Sequence, residues 1–129
     1  MGGKRVGVSV ATLTARLPRP LTTLERGDDF IDALRNIIRN EDAEALVVGL
    51  PLGMEGQHTA QTGEAEKFAR ILGERTDLPV HMQDETLTSK HAEAELEARG
   101  KPYVRGDVDA LAATYILQDW LATDREVRT

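Results

Sequence analysis

The sequence predicts a single α/β domain, on three observations. The run "ALVVGLPL", closed by Pro51, is continuously apolar, the pattern of a parallel-sheet strand buried on both faces. The segments on either side of it repeat their apolar residues at helical spacing. A second short strand pattern, "LPVHMQ", follows one of those segments, so strand, helix and strand make a βαβ unit with a right-handed connection and a partly parallel sheet. With 129 residues the chain is long enough for one real core and short for two, so a single domain spanning 1–129 is expected.

Taken in order, "MGGKRVGVSV" enters a strand almost at once, Val6, Val8 and Val10 alternating with Gly7 and Ser9. After Pro18 and Pro20 comes a short extended piece around Leu21 to Leu24, then a charged turn at Gly27. Phe30, Ile31, Leu34, Ile37 and Ile38 predict a helix from about Asp29 to Asn40, its first turn capped by Asp28 or Asp29. Beyond the buried strand, Ala65, Phe68, Ala69 and Leu72 form the stripe of a crossover helix from Thr62 to about Arg75. Thr88 or Ser89 is expected to cap an alanine- and glutamate-rich helix that Gly100 ends in the C′ position. The loop "KPYVRG" leads to a last helix with Ala113, Ile116, Leu117, Trp120 and Leu121 on its buried face, and the tail "ATDREVRT" is expected to fray. No internal repeat or low-complexity segment is present.

Composition removes several classes. Apolar residues at 40% and charged residues at 29% are those of a globular chain, and aromatics at 4% leave an aliphatic core. The absence of cysteine excludes a disulfide framework and thiolate-bound zinc. No apolar stretch reaches membrane-spanning length and the N-terminus has no long apolar run, so a cytoplasmic protein without a membrane partner is expected. Sixteen basic against 22 acidic residues give a net charge of −6, which argues against nucleic-acid binding through overall charge. It leaves room for a local basic patch, and it permits a carboxylate metal site.

Ligands of open α/β sheets gather at the carboxyl ends of the strands, and two stretches lie there. "GLPLGMEGQHT" is either a glycine loop near a helix N-terminus or a plain flexible turn. "QDETLTS" puts Asp84 and Glu85 where the last strand runs out, and taken alone it reads as a solvated loop that favours the next helix dipole. The final helix shifts that balance. One of Asp107 and Asp109 suffices as its N-cap, and the spare carboxylate with Glu85 offers hard oxygen donors to Mg²⁺ or Mn²⁺. His58, His81 and His91 show no ligand spacing, and neither a nucleophile elbow nor a phosphate-binding GxxxxGK[ST] loop occurs.

"GGKRVGVSV", "ALVVGLPLGMEG", "DETLTS" and "VDALAATYILQDWL", in this order and at these distances, resemble the YqgF family of Holliday-junction-resolvase-like nucleases linked to pre-16S rRNA. The resemblance implies a ribonuclease H-like mixed sheet flanked by helices. It also implies a catalytic and metal-binding role for Glu85 and Asp109, which would hold Mg²⁺ or Mn²⁺, two ions in the intact family, for phosphodiester hydrolysis. The family's first motif, Asp-x-Gly-x-Lys-Arg, aligns Gly2, Lys4 and Arg5 and puts its aspartate immediately before Met1. The first, central strand is accordingly expected to be missing or only partly present. A misplaced start explains this more readily than a shortened paralogue, and little nuclease activity is expected from Met1 onward. Lys4, Arg5, Arg99, Lys101 and Arg105 are the expected nucleic-acid contacts, with Tyr103 placed to stack on an unpaired base. RNA is the expected partner. Branched DNA and RNA polymerase, the latter through an antitermination role, are the alternatives, and the oligomeric state is left open.

Overall fold

A computed structural model describes residues 5–53, 55–85 and 88–124. Lys4, and the part of the expected frayed tail from residue 125 on, lie outside the described residues. In chain order the elements are β1 (Arg5–Val10), β2 (Arg19–Glu25), α1 (Phe30–Glu41), β3 (Leu46–Leu50), α2 (Ala60–Thr76), β4 (Val80–Asp84), α3 (Thr88–Arg99) and α4 (Arg105–Asp124). The chain divides into two compact units, residues 1–27 with 87–129 and residues 28–86. Among the described residues the strands form two ladders, β1 with β2 and β3 with β4. No helix among them is long and apolar enough to cross a membrane.

In the first unit β1 and β2 run antiparallel, from Arg5 opposite Glu25 to Val10 opposite Arg19. The register shifts between Val8 and Ser9, where Pro20 faces Ser9. Proline has no N–H for the ladder, and a local irregularity is where a strand tolerates it. Helix α3 ends as expected, with Gly100 at a left-handed φ of 74° and its N–H on the Glu97 carbonyl. Its start differs from expectation: Thr88 and Ser89 are the first helical residues, and the position before them lies outside the described residues. Ala92 and Leu96 of α3 pack with Val108, Leu111 and Ala112 of α4 into the core of this unit, flanked by Tyr103 and Tyr115. The buried face of α4 therefore begins earlier than expected. Trp120 and Leu121 are buried, but Ala113, Ile116 and Leu117 are only half-buried.

In the second unit β3, α2 and β4 make the expected βαβ unit, with parallel register from Leu46 beside Val80 to Leu50 beside Asp84. Strand β3 was expected to be buried on both faces, yet all five of its residues are half-buried. Continuous apolarity marks the strand without fixing how deeply it is covered. Helix α2 begins two residues before expectation because Thr59 caps it: Thr59 Oγ1 accepts from the Thr62 N–H, and Thr62 Oγ1 accepts from the Thr59 N–H, a reciprocal capping box. Thr62 is fully buried, and its hydroxyl donates to the Pro51 carbonyl, tying the helix start to the end of the strand segment. Asp29 does occupy the N-cap position of α1, but its side chain makes no capping bond. Both helices close on an aspartate in the left-handed region, Asp42 at φ 55° and Asp77 at φ 60°. The Phe30 and Phe68 rings meet at 5.6 Å and 46°, a tilted aromatic pair joining α1 to α2. Arg35 donates through Nε and Nη2 to the Arg75 carbonyl in the last turn of α2, a cation at the negative end of that helix.

Candidate active-site residues

Glu85 follows β4 directly. Its N–H donates to the Leu50 carbonyl at 3.2 Å, so the residue is held where the parallel ladder ends. Its side chain is half-buried, and its carboxyl is pushed above the usual carboxylate value by burial first and by the neighbouring Asp84 charge second. Both causes disfavour the anion, and a nearby cation opposes both.

Asp109 is the fifth residue of α4, in the other unit. Neither aspartate at this helix start is the N-cap. Val104 holds that position, and Asp107, three residues on, reaches back so that its Oδ2 accepts from the Val104 N–H at 3.0 Å. Asp109 is thus the carboxylate that capping does not use. Its Oδ2 accepts from Arg5 Nε at 2.9 Å, with the two side chains 21% and 37% exposed. Arg5, expected to touch nucleic acid, is paired with the candidate carboxylate in this structure.

The basic loop is also internally compensated. Arg99 pairs with Glu95 one turn earlier on α3 at 2.5 Å, and Arg105 pairs with Glu93 at 2.8 Å. Tyr103 packs against the α3–α4 core and donates to Glu97 at 3.3 Å, so its ring is not freely offered to a base. Lys101 is exposed. The Glu95–Arg99 spacing of four is legible in the sequence; the Glu93–Arg105 pair, twelve residues apart across the loop, is not.

Glu95 also accepts from the Tyr115 hydroxyl of α4. Burial, then the bond to Glu95 and its charge, push the Tyr115 phenol up to about 12. A phenol raised in the folded state adds stability that is complete below its unfolded value of about 10 and is lost as pH rises towards the folded one. Tyr115→Phe is expected to cost about 1 kcal/mol near neutral pH and to remove that alkaline loss, measured by urea unfolding at pH 7 and pH 11.

The glycine loop after β3 is a self-bonded turn. The Gly53 N–H donates to the Gln57 carbonyl, the Gly56 N–H to the Gly53 carbonyl, and the Glu55 N–H to the Gln57 side chain. Those amides are engaged locally, which is the plainer of the two expectations. All three histidines are exposed. A shallow concavity of ≈360 Å³ along α2 and β4, lined by Glu66, Ala69, Arg70, Gly73, Val80 and Met82, contains none of the candidate residues. Among the described residues no three or more Asp, Glu or His side chains converge as a metal-ligand cluster.

Fold and side chains together define an α/β protein with one carboxylate at the mouth of a parallel ladder and another, paired with Arg5, in the opening turns of its last helix. The chain belongs to the RuvX family, described as Holliday junction resolvase, which matches residues 1–123. This is the family that the four sequence motifs resemble. A Pseudomonas putida protein named "Putative pre-16S rRNA nuclease" is 41% identical over 125 residues, covering 93% of this chain and 89% of that protein. Proteins of the same name from Rippkaea orientalis and Picosynechococcus are 38% and 41% identical, covering 97% and 95% of this chain and 93% and 88% of theirs. A looser likeness, at 17% identity and a TM-score of 0.49, is to a solved structure titled "T. thermophilus RuvC in complex with Holliday junction substrate", covering 91% of this chain and 87% of that one.

Proposed function

We propose that this protein is a nuclease that hydrolyses phosphodiester bonds at the 5′ end of pre-16S rRNA during ribosome biogenesis in the cytoplasm. The observation that carries this reading is the near full-length similarity to relatives bearing the pre-16S rRNA nuclease name. Glu85 and Asp109 are the residues that would hold Mg²⁺ or Mn²⁺. The chemistry of the donors fits such an ion in that both are hard carboxylate oxygens and the half-buried Glu85 carboxyl has its charge disfavoured, while Asp109 would exchange the Arg5 guanidinium for the ion. When bound, the ion supplies an activated water and charge stabilisation at the leaving oxygen. The protein's own part is to hold Glu85 at the ladder end through its amide and Asp109 on a capped helix.

The test is cleavage of a pre-16S rRNA 5′ fragment and of a four-way DNA junction in Mn²⁺. The chain is assayed as it stands and with an aspartate-bearing strand placed before Met1. Preferential RNA cleavage that EDTA abolishes supports the reading. Cleavage of the DNA junction alone would move it to the family's resolvase description, the second reading. A pure binding role resting on the basic loop is disfavoured, because Glu93 and Glu95 compensate Arg105 and Arg99.

That compensation has a measurable effect. Replacing Arg99, Lys101 and Arg105 together by alanine is expected to reduce the slope of log K against log salt for single-stranded RNA by roughly 0.7, one phosphate contact, rather than three times that. A drop near the threefold value would show that the glutamates release both arginines to the substrate.

A further inference from the structure

Helix α4 meets β1 backbone to backbone. Gly7 stands two residues beyond Arg5, on the same face of the strand. A methyl group built at Gly7 would overlap the Asp109 carbonyl and lie 2.7 Å from the Ala110 nitrogen. No side chain at position 7 fits while the helix stays where it is. Arg5 reaches Asp109 along this face, over a residue that contributes no side chain of its own. A second anchor lies one helical turn earlier, where Thr23 Oγ1 on β2 donates to the Gly106 carbonyl at 2.8 Å.

We propose that Gly7, with the Thr23–Gly106 bond as its second point, forms the seat that positions the Asp109 carboxylate. Gly7 is a positioning residue: it has no side chain to offer, and it sets the height of α4 on β1 and so where Asp109 stands. Its consequence for cation binding rests on the reading of Asp109 as a ligand; the positioning itself does not. Misplacing a reacting group by about 1 Å costs on the order of a hundredfold in rate, so a seat without a side chain is a functional requirement beyond its packing role.

The test reads Asp109 through its partner. In ¹⁵N NMR the Arg5 Nε–H signal, assigned by its loss in Arg5→Lys, is expected to move to the free-guanidinium position in Asp109→Asn. Gly7→Ala is expected to move it there as well, and to weaken Mn²⁺ binding, titrated by electron paramagnetic resonance, at least about tenfold. Thr23→Val, a milder change that keeps the side-chain shape, should shift the signal part of the way. Leu96→Ala, which lowers Tm by opening a cavity between α3 and α4, should leave the signal and the Mn²⁺ affinity unchanged. The proposal is overturned if the Arg5 signal stays at its wild-type position in Gly7→Ala or, should that variant not fold, in Thr23→Val. It is equally overturned if Leu96→Ala moves the signal as far. Mn²⁺ binding that is indifferent to Asp109→Asn would sink the ligand reading instead, while a released Arg5 signal in Gly7→Ala would still establish the seat.

Discussion

With an aspartate-bearing strand placed before Met1, Glu85→Gln and Asp109→Asn are each expected to lower RNA cleavage by orders of magnitude while the protein stays folded, because a bound cation carries the chemistry and each change removes an anionic oxygen donor. The two variants differ in their effect on stability. The Glu85 carboxyl is raised in the folded state, so the native protein holds that proton more tightly than the unfolded chain does. Its stability is complete below the ordinary value of 4.5 and declines as pH rises through the unfolded and then the folded value. Glutamine removes that decline, so at pH 7 the variant should be as stable as the parent or more so, with a flatter profile above pH 4.5. Asp109→Asn gives up a partly exposed ion pair with Arg5, about 1 kcal/mol or less after solvent screening. Cleavage rates and Tm measured together decide the matter. A large fall in Tm in both variants would make these residues structural.

A large loss of stability is expected at Thr62, where valine keeps the volume and removes the hydroxyl. That one oxygen donates to the Pro51 carbonyl and accepts from the Thr59 N–H inside a fully buried site. Thr62→Val leaves both groups without this partner and breaks the capping box, at a cost of about 2–4 kcal/mol. Thr62→Ser keeps the hydroxyl and loses a methyl group, about 1 kcal/mol. Urea unfolding of the two variants separates these contributions. Serine more damaging than valine would mean that packing dominates at this position and the hydrogen bonds add little.

Thr62 also shows where reading the sequence falls short. The apolar stripe of α2 was legible, since its period comes from residues that must face a core. The helix start was misplaced by two residues because a threonine serving as the acceptor of a cap looks no different in sequence from one inside the helix. At α4 the same ambiguity left Asp107 and Asp109 interchangeable as caps. The structure assigns neither to the N-cap, because an aspartate at the third helical position can close the cap from within. The element order, the parallel β3–β4 pair and the family were legible from motif and period. The Arg5–Asp109 pair was not, being 104 residues apart and set by how one helix rests on a strand. In the basic loop the run of positive charge and the Glu95–Arg99 spacing were legible, and the Glu93–Arg105 pair was not, because only the turn between two helices brings it together.

The aspartates that close α1 and α2 bear on how this protein can change over time. Each has a Cβ in a left-handed conformation that favours glycine, and each sets a negative charge against the negative end of a helix. Glycine or asparagine at Asp42 or Asp77 would ease one or both costs, so each position is a reserve from which roughly 0.5–1 kcal/mol can be recovered by one substitution. A lineage that draws on them gains tolerance for destabilising changes elsewhere in residues 28–86, the unit that carries Glu85. Part of this unit's evolvability thus resides in two helix ends that take no part in the chemistry.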